Sequence, residues 1–231
     1  MRFLQPEHGY RVNVDSLLLA RFACVGRTAQ LAVDLGAGIG LVALLLAHYE
    51  AARELVLVER ESELAALARD NLTRASVRHR VCELDVSAPE LEQEFARKAD
   101  LVVSNPPFYT EGEHRAPADQ RRVRARLGEL GPFLTAAEML LSGPKARAIF
   151  VYPARSLSQL FECAQRVRLV PKRMQLVHAF AERPARLALL ELRRARPGGL
   201  VVEPPLIEWQ ATGVPTPALA ELMARPADDR R

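Results

Sequence analysis

The sequence predicts an α/β fold, in which a mostly parallel sheet of seven strands, one of them antiparallel, carries helices on both faces. Short apolar runs alternate with longer helical segments along most of the chain, an order typical of a parallel sheet. The first of these runs leads through a glycine-rich turn into an apolar helix. The last two strands are joined only by residues 181–184, and so short a link favours an antiparallel hairpin, because a parallel crossover needs about a dozen residues.

The individual elements follow from these patterns in chain order. Apolar runs predict strands at residues 30–35, 54–59, 79–84, 100–104, 146–151, 174–180 and 186–193. The segments between them predict helices at residues 16–25, 39–49, 61–73, 88–98, 132–141 and 155–167, the first of them capped by Asp15. We expect an N-terminal cap segment at 1–28, a main domain at 29–213 with a basic insertion at 109–131, and a C-terminal tail at 214–231 with at most a short helix.

The glycine-rich turn joins the first strand to an apolar helix. Asp34 is followed by Gly36, Gly38 and Gly40. Glycines allow a sharp turn and a close approach to a ligand, and the helix start offers free N–H groups to an anionic part of that ligand. The spacing G-x-G-x-G differs from the dinucleotide motif G-x-G-x-x-G, so a pyrophosphate is not the first expectation. Simple close packing of the helix on the strand is the alternative.

Two later strands finish on carboxylates. Glu59 closes the second strand, 19 residues after Gly40, where it could accept hydrogen bonds from both hydroxyls of a ribose. Asp85 follows the third strand, where it could meet an adenine amino group. Each acid could instead be an ordinary strand-end or N-cap residue. In an open parallel sheet, ligands bind at the carboxyl ends of the strands, so we expect the turn and both acids to lie together.

The fourth strand ends in Asn105-Pro106-Pro107-Phe108. The amide oxygen of Asn105 could accept one hydrogen bond from a planar amino group, and a backbone carbonyl beside Pro106 could accept the other. Phe108 offers a face on which a flat base could stack, a contact worth roughly 1–3 kcal/mol per base in nucleic-acid sites. The motif therefore indicates a site for a planar amino group, and a plain Asn-Pro turn is the alternative.

These motifs carry a family resemblance. Asp34 to Gly40 and Asn105 to Phe108 resemble the cofactor loop and the amino-methylation signature of the class I S-adenosylmethionine-dependent methyltransferases. The opening, Gly9 to Ala20, resembles that of the tRNA(Val) adenine N6-methyltransferase family, and residues 151–153, 171–173, 177–178 and 203–206 are similar as well. The resemblance covers about residues 5–213 and implies a Rossmann-like methyltransferase domain that modifies the adenine following a tRNA anticodon.

The resemblance also implies S-adenosylmethionine as the cofactor and in-line methyl transfer to the exocyclic nitrogen of adenine, without a metal or a covalent enzyme intermediate. The expected cofactor residues are Asp34, Gly36, Gly38 and Gly40 at the methionyl part, Glu59 on the ribose, and Asp85 with Val86 at the adenine. Arg11 could reach the methionyl carboxylate or could instead pair with Asp15. The expected catalytic residues are Asn105, Pro106, Pro107 and Phe108.

The insertion after Phe108 is rich in arginine. Its cations include Arg115, Arg121, Arg122, Arg124 and Arg126, and Lys172 with Arg173 forms a second basic cluster. Because the insertion follows the Asn105 turn directly, we expect its arginines to contact RNA phosphates at the mouth of the site and the second cluster to extend the same face. The alternatives are an exposed helix with internal ion pairs and, for the second cluster, plain solvated surface.

The composition is typical of a globular cytoplasmic enzyme. Hydrophobic residues make up 49% of the chain, charged residues make up 26%, and the net charge is +4. The chain has no apolar stretch near the roughly 18 residues that a membrane span needs and no signal peptide at its start. Cys24, Cys82 and Cys163 lack metal-ligand spacing, so we expect reduced, buried thiols. A monomer without a metal is expected.

Other substrates and one other activity stay open. N-P-P before an aromatic residue also occurs in methyltransferases that act on guanine N2 of ribosomal RNA and on glutamine amides of release factors. The basic insertion favours RNA over a protein, and the opening motif favours adenine over guanine. A non-enzymatic RNA-binding factor on a methyltransferase scaffold is the remaining alternative, and the intact glycines, acids and Asn105 argue against it. The sequence identifies neither the individual RNA nor the nucleotide.

Overall fold

An eight-stranded sheet forms the centre of the computed structural model, which describes residues 3–5, 14–107 and 130–224. Its strands are β1 (Ala29–Leu35), β2 (Ala52–Glu59), β3 (His79–Glu83), β4 (Leu101–Ser104), β5 (Arg147–Pro153), β6 (Val170–His178), β7 (Ala185–Arg193) and β8 (Val201–Ile207). They lie side by side in the order β3-β2-β1-β4-β5-β7-β6-β8. The predicted α/β fold is confirmed, with eight strands in place of seven.

Helices cover both faces of this sheet, as predicted. The described helices are α1 (Val14–Ala23), α2 (Leu41–His48), α3 (Ser62–Arg74), α4 (Pro89–Phe95), α5 (Leu130–Leu140), α6 (Leu157–Arg166) and α7 (Pro217–Ala224), with a 3-10 turn at Ala154–Ser156. One hydrophobic core holds side chains of α1, α2, α3 and α7, and a second core holds those of α4, α5 and α6. A small hairpin of β9 (Trp209–Ala211) and β10 (Val214–Pro215) precedes α7.

The sheet contains one reversed strand, β7. It runs antiparallel to β5 and to β6, whereas β1 to β5 run parallel to one another. The predicted hairpin is confirmed, because β6 ends at His178 and Ala185, which begins β7, is its partner. The parallel strands need long crossovers, and these crossovers carry the helices onto the two faces.

The eighth strand, β8, is not predicted from the sequence because it contains Pro204 and Pro205. Proline lacks the N–H donor of a strand ladder and is confined to sheet edges or bulges. β8 is the outermost strand on one side of the sheet, an edge strand, and pairs with β6. The register shifts between Gln175 and Val177, and the side-chain amide of Gln175 donates to the carbonyl of Pro204 at 3.0 Å. The edge position therefore accommodates both prolines.

The start of α1 differs from the prediction of a helix capped by Asp15. Asp15 is the second residue of α1, and its Oδ1 lies 2.8 Å from Nη1 of Arg186, near the start of β7. Arg186 also donates to both carboxylate oxygens of Glu208, each at 2.5 Å. Burial alone would lower the pKa of Arg186, but hydrogen bonds to Glu208 and the charge of Asp15 raise it above its ordinary value. Arg186 therefore ties α1 to β7 and to the segment after β8.

The cysteines are free thiols, as expected, but only partly buried. Cys82 is buried, whereas Cys24 and Cys163 are half-buried because they lie at the margins of the cores, just after α1 and on α6. Within the described ranges, no set of three His, Cys, Asp or Glu side chains is placed to hold a metal ion. None of the described helices has both the length and the apolar character to cross a membrane.

Replacing Arg186 with methionine is expected to lower the free energy of unfolding by about 3 kcal/mol, because two buried carboxylates would lose their partner. Glu208 is only 2% exposed and Asp15 is 6% exposed. Chemical denaturation measures the loss. Arg183→Met, in the exposed turn before β7, is the matched control and should change stability by less than about 0.5 kcal/mol. Equal stability of the two variants would contradict the role given to Arg186.

Candidate active site

Four neighbouring parallel strands have their carboxyl ends along the same side of the sheet, and this row of strand ends is here named the carboxyl edge. β1 leads into the loop of Gly36, Gly38 and Gly40, β2 ends at Glu59, the chain after β3 reaches Asp85, and β4 is followed by Asn105. Because β3, β2, β1 and β4 are adjacent in that order, these residues lie at the same edge. Open parallel sheets bind their ligands at this edge.

The glycine loop is shaped by backbone conformation and by packing. Its φ angles are +70° at Gly36, +55° at Gly38 and +79° at Gly40, a region that other residues adopt only with strain. A Cβ at Gly36 would lie 3.0 Å from the Phe133 ring. A Cβ at Gly40 would lie 3.0 Å from Leu57 and from Leu72. The turn and the close packing around it therefore both require glycine.

Glu59 holds the loop against the end of β2. Its Oε2 accepts a hydrogen bond from the N–H of Gly38 at 2.8 Å, and its Oε1 accepts one from the N–H of Glu61 at 2.9 Å. The residue is 8% exposed. A carboxylate has about four acceptor positions, so Glu59 keeps acceptors for hydroxyl groups of a ligand that lies beside the loop.

Asp34 places a carboxylate inside β1, between the buried side chains of Val33 and Leu35. It is 1% exposed, and its Oδ2 has no hydrogen-bond partner within the described part of the chain. Burial raises the pKa of Asp34 to about 7, the backbone N–H of Ala43 lowers it, and the charge of Glu59 raises it. Because a buried acceptor without a partner is costly, this oxygen indicates a group that the site binds.

Asp85 lies at the same edge in a more open position. Its Oδ1 accepts hydrogen bonds from the backbone N–H of Ser87 at 3.0 Å and from the Ser87 hydroxyl at 2.6 Å. These bonds hold the pKa of Asp85 below its ordinary value. Its Oδ2 lies 3.7 Å from Nη1 of Arg60, and the side chain is about half exposed. The neighbouring Val86 is buried in the core, so Asp85 presents a charged acceptor beside an apolar residue.

Asn105 stands directly after β4, next to the start of the glycine loop. The hydroxyl of Ser104 donates to the carbonyl of Leu35 at 2.8 Å and so ties the end of β4 to the end of β1. Asn105 is half-buried, Pro106 is buried and Pro107 is exposed. No residue that the structure describes forms a hydrogen bond with the Asn105 side chain, which leaves its amide oxygen available to a ligand.

The structure does not bring all of the predicted site residues to this edge. Arg11, Phe108, Arg115, Arg121, Arg122, Arg124 and Arg126 lie outside the described residues. Lys172 and Arg173 lie near the start of β6, at the opposite edge of the sheet from Asn105. Arg173 contacts Glu191 at 3.4 Å and Glu203 at 3.3 Å. These two cations therefore do not extend the face that carries Asn105, because the first residues of a parallel strand lie at its amino end.

Sequence reasoning missed one charged cluster at the carboxyl edge. Arg186, the second residue of β7, lies beside Pro153, the last residue of β5, and there it joins Asp15 to Glu208. Arg186 is one partner of Asp15, and the pairing of Asp15 with Arg11 stays a prediction, because Arg11 lies outside the described residues. No spacing along the chain could have revealed this cluster, because it depends on the reversal of β7. An arginine at the first position of a predicted hairpin strand was the available signal.

Comparison with known proteins identifies the family. Residues 12–135, more than half of the chain, match the family model described as the methyltransferase small domain. The chain belongs to this family. The methyltransferase is 32% identical over 194 residues to a Porphyromonas gingivalis protein named tRNA1(Val) (adenine(37)-N6)-methyltransferase, covering 80% of this chain and 75% of that relative. It is 27% identical over 193 residues to a Flavobacterium psychrophilum protein of the same name, covering 82% and 81%.

Solved structures show the same fold. Atu636 of Agrobacterium tumefaciens, described as a predicted O-methyltransferase, superposes with a TM-score of 0.71 at 22% identity, covering 90% of this chain and 94% of that one. TYW2 of M. jannaschii, solved in complex with AdoMet, superposes with a TM-score of 0.53 at 14% identity, covering 80% and 78%. The protein is an S-adenosylmethionine-dependent methyltransferase with a Rossmann-like fold.

The carboxyl edge fits this cofactor. The unpartnered Oδ2 of Asp34 suits the cationic part of the methionyl end, and the N–H groups at the start of α2 suit its carboxylate. Glu59 retains acceptors for the ribose hydroxyls. Asp85 is ionised and half exposed, which suits an acceptor for an amino group.

Asp34→Asn is expected to change the dependence of stability on pH. Because the pKa of Asp34 is about 7 in the folded protein and 3.8 ordinarily, the folded state binds more protons than the unfolded chain between these values. Asp34 therefore lowers the free energy of unfolding progressively from about pH 4 to about pH 7 and by a constant amount above that. Urea denaturation should show D34N gaining stability relative to the parent protein across this window. A difference that does not vary with pH would refute the raised pKa.

Gly40→Ala is expected to lower the free energy of unfolding by about 2–3 kcal/mol. The left-handed conformation costs a residue with Cβ roughly 1–2 kcal/mol, and the contacts at 3.0 Å require the neighbours to shift. Gly143→Ala is the control, since an added Cβ there meets nothing within 4 Å, and it should be nearly neutral. Thermal unfolding with and without S-adenosylmethionine tests both variants, and G40A should also show the smaller stabilisation by the cofactor. A neutral G40A would contradict the packing of the loop.

Proposed function

We propose that this methyltransferase transfers a methyl group to N6 of an adenine in tRNA, in the anticodon loop of a valine tRNA. Two relatives that carry this activity in their names align with it over three quarters or more of their length. The structural observation that carries the proposal is the half-buried amide of Asn105, which bonds to no described residue and lies at the same edge as the glycine loop. A planar amino group held by Asn105 would therefore face the methyl donor.

In the proposed site, Asp34, the loop glycines and the start of α2 hold the methionyl part of the cofactor, with Arg11 as a further contact for its carboxylate. Glu59 binds the ribose hydroxyls, and Asp85 with Val86 bounds the adenine. When bound, S-adenosylmethionine supplies a methyl group on a sulfonium, which is already a good leaving group. The chain therefore has to bind and orient, and it needs no nucleophile of its own.

The chemical difficulty lies in the acceptor nitrogen, whose lone pair is delocalised into the adenine ring. The amide oxygen of Asn105 and the carbonyl at Pro106 would accept the two N–H bonds of the amino group. Holding both N–H groups turns the lone pair towards the methyl group, which is catalysis by positioning and electrostatics. Pro107 restricts the turn, and the bond of Ser104 to Leu35 fixes its position relative to the loop.

An adenine reaches this turn only after it has left its stack. Extrusion costs a few kcal/mol and is least unfavourable in an open loop, a condition that an anticodon loop meets. Pro107 and Leu130 flank the insertion in the chain, and Phe133, three residues after Leu130, packs on Gly36. In this proposal Phe108 stacks on the base, and Arg115, Arg121, Arg122, Arg124 and Arg126 contact phosphates at the mouth of the site. A tRNA substrate agrees with the expected cytoplasmic location.

Replacing Asn105 with alanine is expected to lower methyl transfer by at least about 100-fold, the usual effect of removing one hydrogen-bonding group from a transition-state site. N105D, which keeps acceptor oxygens, should retain more activity than N105A. Transfer is measured by mass spectrometry of nucleosides from a valine tRNA transcript. Cofactor binding, measured by thermal shift, should survive in both variants because Asn105 lies on the substrate side.

Gln93→Ala is the matched control, since it removes an exposed amide from α4, on one face of the sheet. It should leave transfer and cofactor binding unchanged. An N105A enzyme that keeps most of its activity would defeat the proposed mechanism. A parent enzyme that forms N6-methyladenosine in no tRNA would defeat the proposed substrate and favour a guanine or a glutamine amide as the acceptor.

A further inference from the structure

Two adjoining hollows lie at the amino edge of the sheet, where β1, β4, β5 and β6 begin. Their volumes are about 960 Å³ and about 1020 Å³, and Pro144 and Ala195 line both. They are not at the edge that carries Asn105. The seven residues of β1 separate the two edges by roughly 20 Å, at about 3.3 Å per residue. The hollows therefore form a surface of their own, here named the amino-edge surface.

The amino-edge surface is strongly basic. The first hollow is lined by five Arg side chains and one acidic side chain. The second is lined by six Arg or Lys side chains and two acidic side chains. The net charge of the whole chain is only +4. Basic side chains are therefore concentrated here far above their average density, and such a concentration attracts polyanions.

Several of these cations have no acidic partner among the described residues. Arg27, Lys145, Arg168 and Arg196 are exposed and form no described ion pair. Lys172 donates to the backbone carbonyls of Arg196 at 2.7 Å and Gly198 at 2.6 Å, which position its ammonium group without neutralising it. These groups stand on the segments just before β1, β5 and β6 and just after β7. They can reach phosphates along an extended path.

Three arginines that surround the buried Glu191 keep the floor of the second hollow positive. Glu191, which is 3% exposed, is shared by three guanidinium groups, at 3.9 Å from Arg147, 3.4 Å from Arg173 and 2.5 Å from Arg193. Burial lowers the pKa of Arg147, Glu191 raises it, and the charges of Arg173 and Arg193 lower it further. Arg173 also contacts Glu203 at 3.3 Å, so these three cations meet two carboxylates and the floor of the second hollow keeps a net positive charge.

We propose that the amino-edge surface binds the phosphodiester backbone of the RNA substrate at a place distant from the methylated base. This inference rests on the proposed tRNA substrate. A small anion would use one pocket of convergent donors, whereas here the unneutralised cations are spread over two hollows and four loops. A whole tRNA can reach both edges of the sheet, while an isolated anticodon stem–loop seated at Asn105 covers one of them. The surface would therefore add affinity without contributing to the reaction.

The test compares Arg168→Glu/Arg196→Glu with Arg69→Glu/Arg74→Glu, a control with the same charge change on the exposed side of α3. Both variants are assayed for methylation of a full-length tRNA transcript and of its anticodon stem–loop. Binding of the full-length tRNA is measured over a series of salt concentrations. Cofactor-induced thermal shifts confirm that both variants are folded.

The test variant should raise KM for full-length tRNA about tenfold or more, lower the slope of log affinity against log salt by about 2, and leave kcat unchanged. Its kinetics on the stem–loop should match those of the parent enzyme, and the control should change KM less than about twofold. Equal effects of the two variants on full-length tRNA would overturn the inference, as would an equal loss on the stem–loop. If the parent enzyme methylates no tRNA, the proposed function fails, while the binding series still decides whether this surface holds RNA.

Discussion

The rest of the structure depends on β1, which is paired with a strand on each side and is covered by helices on each face. This strand pairs with β2 on one side and with β4 on the other, and helices cover both of its faces. Ala32, Val33 and Leu35 are fully buried as a result. A strand in this position is largely apolar, because both of its faces are covered over most of its length. Its backbone groups are satisfied by the ladders, so the chain can turn towards a ligand only at the end of the strand.

The geometry of the active site follows from this constraint. The N–H groups of Gly36 and Ala37 both bond to the carbonyl of Val58, which fastens the loop to β2. Glu59 holds the next part of the loop through Gly38, and Ser104 holds the end of β4. The glycine loop and the Asn105 turn are thus joined by hydrogen bonds among three adjacent strands, to which the side chains of Glu59 and Ser104 contribute. The position of Asn105 relative to the loop is set by the register of β1 and β4 and by the Ser104 bond.

Local patterns predicted most of the fold and the side chains of the carboxyl edge, because each depends on residues close in the chain. The apolar runs of β1 to β5 and the short link before β7 are of this kind. Features that depend on contacts between residues far apart in the chain were not predictable. Pro204 and Pro205 concealed β8, since only the edge position explains how they are accommodated, and Asp15 resembled a helix cap because its partner lies on β7. Lys172 and Arg173 were expected to extend the face of the insertion arginines, because a basic cluster in the sequence does not show at which end of the strands it lies.

The same topology separates two tasks. In a parallel sheet the loops at the carboxyl ends can change their chemistry without altering the loops at the amino ends. The buried strands between the two sets of loops transmit little of a change at one end to the other end. The carboxyl edge holds acids that would attract the cations of a cofactor, and basic groups placed directly among these acids would oppose them within a Debye length of about 8 Å at physiological salt, whereas the arginines of the insertion are proposed for the mouth of the site. The amino edge, roughly 20 Å away, lies beyond that distance. Basic groups gathered there can draw a polyanion to the protein without weakening the acids that the reaction needs.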